Sequence, residues 1–95
     1  MKVGALKEIR PGEARVALTP DSATQIQKLG HACFVQSGAG LAAGFSDALY
    51  EQAGVTVVAD AAALCEAVDV VIKVREPELE EVNLLREGQT LISFF

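Results

Sequence analysis

The sequence predicts an α/β fold, a five-stranded parallel sheet with helices on both faces in a three-layered, flavodoxin-like arrangement. Three observations carry the prediction. Short apolar runs alternate along the chain with helical stretches that open on capping residues and close on glycine. Five such runs are separated by four helix-bearing connections, which makes the strands parallel and the crossovers right-handed. The fourth run, Asp69 to Val74 (DVVIKV), is apolar on both faces, as a central strand covered on both sides must be. Five-stranded doubly wound sheets commonly run in the order 2-1-3-4-5, although the chain does not itself fix the order.

Each element has a local reason. Val3 to Leu6 is the first apolar run and opens on a charged loop. Thr19, Pro20 and Asp21 then start a helix: a hydroxyl N-cap, a proline at N1 where no amide donor is needed, and a carboxylate facing the positive end of the dipole. Ala23, Ile26 and Leu29 form its apolar stripe, and Gly30 supplies the left-handed stop. His31 to Gln36 is the second strand and ends at the glycine turn Gly38, Ala39, Gly40. Ser46 and Asp47 cap a short helix that carries Leu49 and Tyr50 to Gly54, and Val55 to Val58 is a β-branched third strand. Asp60 caps an alanine-rich helix ending near Val68, before the fourth strand. Pro77 and the acidic residues Glu78 to Glu81 open a last helix that runs through Leu85; Gly88 ends it, and Thr90 to Phe95 is the fifth strand. The chain stops inside that strand, which gives the expectation of a piece truncated from a longer protein.

Composition narrows the functional classes. Ninety-five residues make one small domain or part of one, burying about 60–65% of the unfolded surface. With 51% hydrophobic and 22% charged residues the chain is globular, and with no Trp its core must be aliphatic. A net charge of −5 without any Lys/Arg cluster argues against nucleic acid as a partner. The uncharged stretch Leu29 to Ser46 is broken by glycines and polar residues, so direct membrane insertion is not expected, and charge at Lys7 interrupts anything resembling a signal peptide. A cytoplasmic location follows as the expectation. Cys33, Cys65 and the single His31 lack the spacing of a metal or redox site, and both thiols read as buried fillers.

Chemistry-bearing residues concentrate in Lys7 to Pro20 (KEIRPGEARVALTP), where Lys7, Glu8, Arg10, Glu13 and Arg15 lie within nine residues. Loops after parallel strands are where open α/β sheets place ligands. Arg15 offers a planar fork for a carboxylate or phosphate, or equally for Glu8 or Glu13 as a staple of its own loop. Lys73 interrupts an apolar strand near its carboxyl end, either as a snorkelling lysine or as a ligand-facing one. If the two head groups converge they make a two-cation clamp for an anion. Arg75 and Glu76, just past the strand, read as solvated. The turn GAGLAAG follows a strand but is spaced G-x-G-x-x-x-G, so its third glycine cannot serve the helix packing of a dinucleotide fingerprint. A structural turn is the expectation there.

The blocks KEIRPGEARVALTP, KLGHACFVQSGAG, FSDALYEQAG, VDVVIKVREP and LLREGQTLISFF together resemble the N-terminal domain shared by alanine dehydrogenase and the alpha subunit of proton-translocating NAD(P) transhydrogenase. QSGAG, FSDALYEQAG and the terminal TLISFF look closer to the transhydrogenase. The resemblance implies that residues 1–95 are part of that N-terminal domain, with a Rossmann domain that binds NAD lying further along the family's chain. It implies hydride transfer between NADH and NADP in the full enzyme, with NADP in a partner component, either a beta subunit or its equivalent, and the fragment alone inactive. Arg15 and Lys73 become the expected catalytic residues, because Arg and Lys at these positions hold the substrate carboxylate in alanine dehydrogenases. Lys7 and Glu8 join them along the cleft, and no cofactor-binding or metal residue is assigned within the fragment. The family also implies a homodimer or larger assembly, peripheral on the inner face of the cell membrane. Leu6 departs from the proline found in many members. Alternatives are an alanine dehydrogenase, whose catalytic His would follow the fifth strand, and a non-enzymatic flavodoxin-like interaction domain.

Overall fold

The structure, a computed structural model, describes residues 1–9, 12–75 and 79–93. In chain order it contains β1 (Lys2–Ala5), α1 (Pro20–Lys28), β2 (Ala32–Gln36), a 3-10 turn at Leu41–Ala43, α2 (Asp47–Gln52), β3 (Thr56–Val58), α3 (Ala61–Ala67), β4 (Val70–Lys73), α4 (Leu79–Val82) and β5 (Thr90–Ser93). Arg10, Glu76, Pro77 and Glu78, and the end of the fifth strand at Phe94 and Phe95, lie outside the described residues. The expected fourth helix is shorter than the sequence suggested. It ends at Val82, and Leu84 and Leu85 pack against the core from the turn beyond it.

All four strand pairings are parallel, and the sheet runs β3-β2-β1-β4-β5. The commoner order 2-1-3-4-5 is therefore not the one adopted. The reason lies in which face each helix covers. One core cluster joins Ala5, Cys33, Val35, Val70 and Ile72 to Ala23 of α1 and Tyr50 of α2; the other joins Leu6 and Val71 to Leu64 and Cys65 of α3. Right-handed crossovers on one face step the sheet one way and on the other face step it back. Two successive crossovers share the first face, carrying the chain from β1 outward to β3, before α3 changes face and returns it to lay β4 beside β1. The winding reverses between β1 and β4, and Val3, Gly4 and Ala5 are in register with Val70, Val71 and Ile72.

Local chemistry matches the elements. Thr19 caps α1 in a reciprocal box with Ser22, and Pro20 opens it as expected. Leu29, assigned to the apolar stripe, is instead 77% exposed, because as the C-cap residue it leaves the buried face. Gly4 must lack a side chain: a Cβ there would lie 2.7 Å from Val68 Cγ1 and 2.9 Å from Leu64 Cδ1, so α3 can sit directly on β1. The last carbonyls at the end of α3, those of Cys65 and Val68, accept from Arg86 and Gln89, which ties the approach to β5 to the helix terminus. Both cysteines are free and buried, and burial pushes both thiols up, as befits core fillers. Among the described residues no helix is long and apolar enough to cross a membrane.

Candidate functional site

Open α/β sheets bind ligands outside the carboxyl ends of their strands, where the winding reverses. Here that point lies between the end of β1, which continues into Leu6, Lys7 and Glu8, and the end of β4 at Lys73. Leu6, the departure from proline, is 1% exposed and belongs to the second core cluster, so it anchors the start of the loop by packing.

Lys73 is the last residue of β4 and its side chain is 1% exposed. It does not snorkel. Its Nζ donates to Glu8 Oε1 at 3.0 Å and to Glu81 Oε2 at 2.9 Å, and both carboxylates are themselves nearly covered. An unpaired ammonium so deep would be prohibitively costly, so two carboxylates delivered by β1 and α4 are the condition for having a lysine there. Glu8 also accepts from the main-chain N–H groups of Val74, at 3.0 Å, and Arg75, at 3.3 Å. One carboxylate thus bridges the two strand exits.

Above this triad opens a cleft of about 220 Å³ lined by Lys7, Glu8, Glu13, Arg15, the turn residues Gly38 and Ala39, and Leu41. Arg15 closes on Glu13: Nε donates to Oε2 and Nη2 to Oε1, each at 2.9 Å, while the Arg15 N–H also donates to Oε2. The bidentate bond to Arg15 holds the Glu13 carboxyl down at about 2 and raises the Arg15 guanidinium above its ordinary value. Arg15 is largely exposed and Glu13 is not. The Lys7 N–H donates to Gln36 Oε1 at 2.9 Å, joining the exit of β1 to the end of β2.

The far wall is the glycine turn, and its geometry shows what it cannot do. The Gly38 N–H donates to Asp47 Oδ1 at 2.9 Å, and the amides of Ala39, Leu41, Ala43 and Gly44 donate to the carbonyls of Gln36, Gly38, Gly40 and Leu41 respectively. Those amides are committed, so the loop does not present the open row of N–H groups that a pyrophosphate needs. Asp47 also accepts from Ser37 Oγ at 2.6 Å, and these two bonds lower its carboxyl. A Cβ on Gly40 would lie 2.7 Å from the Tyr50 ring, whose hydroxyl donates to Leu18 O at 2.6 Å. Desolvation pushes that phenol up to about 12.

The structure brings Lys7, Glu8 and Arg15 onto one cleft and places Lys73 behind Glu8. The two-cation clamp does not form, because each cation is closed on carboxylates of its own domain. Arg75, read as solvated, has its Nε buried without a hydrogen bond, 3.8 Å from Glu13 Oε1. The side chain as a whole is about a third exposed, so the reading as solvated holds in part. Glu81 escaped the sequence reading, since nothing in the acidic run marks which member meets Lys73. Tyr50 was placed on the short second helix without a role, and its hydroxyl bond to a carbonyl 32 residues away has no local signal. His31 lies at the opposite, amino end of the sheet, within 3.1 Å of the Met1 amino group, and takes no part in the cleft.

Comparison with known proteins shows the family and the fold. Residues 4–95 match the family model described as alanine dehydrogenase/PNT, N-terminal domain. The chain is 64% identical over 95 residues to the NAD(P) transhydrogenase subunit alpha of Cereibacter sphaeroides, covering 100% of this chain and 18% of that one. It is 47% identical over 94 residues to the alanine dehydrogenase of Halomonas elongata, covering 99% of this chain and 25% of that one. Among solved structures, a transhydrogenase from Sinorhizobium meliloti superposes with a TM-score of 0.92 at 36% identity, covering 100% of this chain and 28% of the other. An L-alanine dehydrogenase gives 0.89 at 37% identity, covering 98% and 26%. The chain therefore spans only about a fifth to a quarter of the length of such relatives.

Proposed function

Because this chain belongs to the alanine dehydrogenase/PNT N-terminal domain family, we propose that it is the first domain of a proton-translocating NAD(P) transhydrogenase alpha subunit. The observation that carries this reading is the 64% identity to such a subunit along the whole chain, against 47% to an alanine dehydrogenase. The cleft at the β1/β4 reversal then forms one wall of the nicotinamide site. In this reading the dinucleotide is held by a Rossmann domain outside residues 1–95, which the committed amides of the glycine turn support. When bound, the nicotinamide supplies the hydride chemistry. Lys7, Glu8 and Arg15 set the charge and shape of the wall, and Lys73 fixes the wall from beneath. Hydride passes to NADP held by a partner component, the subunits pair as dimers, and the assembly lies on the cytoplasmic face of a membrane portion that moves protons.

A second reading, alanine dehydrogenase, is favoured by one feature, the exposed Arg15 guanidinium at the cleft mouth. A substrate carboxylate would have to replace Glu13 on it. The test is the full-length protein with its NADP-binding component. NADH-dependent reduction of NADP, lowered by Arg15→Ala in a protein that still folds, is the expected result. Alanine-dependent reduction of NAD in its place would overturn the transhydrogenase reading.

A further inference from the structure

We infer that Glu8 is the positioning residue for Lys73, its carboxylate setting where the ammonium and the main chain that carries it lie relative to the cleft. The inference rests on the functional reading only for what Lys73 does in turnover. The geometry stands by itself. Glu8 takes the Lys73 ammonium and the main-chain N–H groups of Val74 and Arg75, three donors from consecutive residues that are 65 to 67 positions away in sequence. A carboxylate has about four lone-pair sites, so most of its capacity goes to this one strand exit. A single bond would merely tether the loop; three bonds to successive groups fix the side chain and the main chain that carries it.

Glu81 reaches the same ammonium from α4. The two carboxylates also face different spaces. Glu8 forms part of the charged cleft, whereas Glu81 borders a groove on the other side with Ile9 and Leu84. Anything that displaces Glu8 in the cleft therefore moves Lys73 together with the main chain of Val74 and Arg75. Glu8→Gln is a usable variant because Glu81 leaves the buried ammonium paired.

The experiment is a double-mutant cycle on kcat and KM for NADH-to-NADP hydride transfer in the full-length protein assembled with its NADP-binding component. Lys73→Gln and Glu8→Gln are each expected to lower kcat about tenfold with KM for NADH changed less than about twofold, and the double variant to be no slower than the slower single one. Groups that act as a unit are non-additive in this way. Glu8→Gln without effect on kcat, or with an effect that multiplies that of Lys73→Gln, would overturn the inference. If Lys73→Gln itself leaves kcat intact, the functional reading fails, and amide hydrogen exchange then judges the positioning. Val74 and Arg75 should exchange at least about tenfold faster in Glu8→Gln and at the parent rate in Glu81→Gln. Equal exchange in the Glu8 variant and the parent would overturn it.

Discussion

Two ionic clusters border the loop after β1, and they differ in almost everything except their chemistry. Lys73 with Glu8 and Glu81 is buried, spans three elements and is closed to solvent. Arg15 with Glu13 is formed two residues apart within a single loop, and its cation is largely in water. A buried ammonium is held in place because removing a partner strands a charge, whereas an exposed guanidinium that leaves its carboxylate regains water. The lesson is a division of labour in a small site: a fixed floor under the cleft and a movable fork at its mouth.

The largest effect that tests this contrast is at the floor. Lys73→Ala leaves two nearly covered carboxylates facing each other, and unfolding in urea should show a loss of about 3–5 kcal/mol. A loss no larger than that of a surface substitution would mean the triad is wetter than its geometry implies. Next comes a buried polar group that carries no charge. Tyr50→Phe deletes the bond to Leu18 O and should lower stability by about 1–3 kcal/mol. The pH dependence distinguishes it further. With its folded value raised to about 12 from 10.0, the Tyr50 contribution is complete below pH 10 and is lost as pH rises toward 12. The variant should therefore lack that alkaline decline in an unfolding series.

The smallest effect belongs to the mouth. Arg15→Ala should lower the unfolding midpoint at neutral pH by less than Lys73→Ala does, while the Glu13 carboxyl, followed by NMR, moves up from about 2 toward 4.5. The sign follows from a depressed carboxyl. Whatever Glu13 contributes is complete above the ordinary value of 4.5 and vanishes as pH falls toward 2. A Glu13 titration near 4.5 in the parent protein would remove the staple from the account.

The contrast also explains what could be read in the sequence. Thr19 with Pro20, Ser46, Asp60 and the glycine stop at Gly30 gave the helix boundaries, because capping is a local matter written in a few adjacent residues. The Glu13 partner of Arg15 was within reach for the same reason, being two positions away. The strand order was not, since it depends on which face each helix covers, and both α1 and α2 carry ordinary apolar stripes. Nor was the enclosure of Lys73: the position of a cation in an apolar strand marked the site, but its partners come from 65 positions upstream and from one of several acidic residues downstream. Periodicity locates a side chain on a face; only the packed elements decide what meets it there.

The central claim is that the exits of β1 and β4 form a wall of the nicotinamide site. Amide hydrogen exchange of the full-length protein with and without NADH tests it most directly. Slowed exchange is expected in residues 7–9, 13–15 and 73–75, with the amides of the glycine turn unchanged. Protection confined to the glycine turn, or absent from both strand exits, would contradict it.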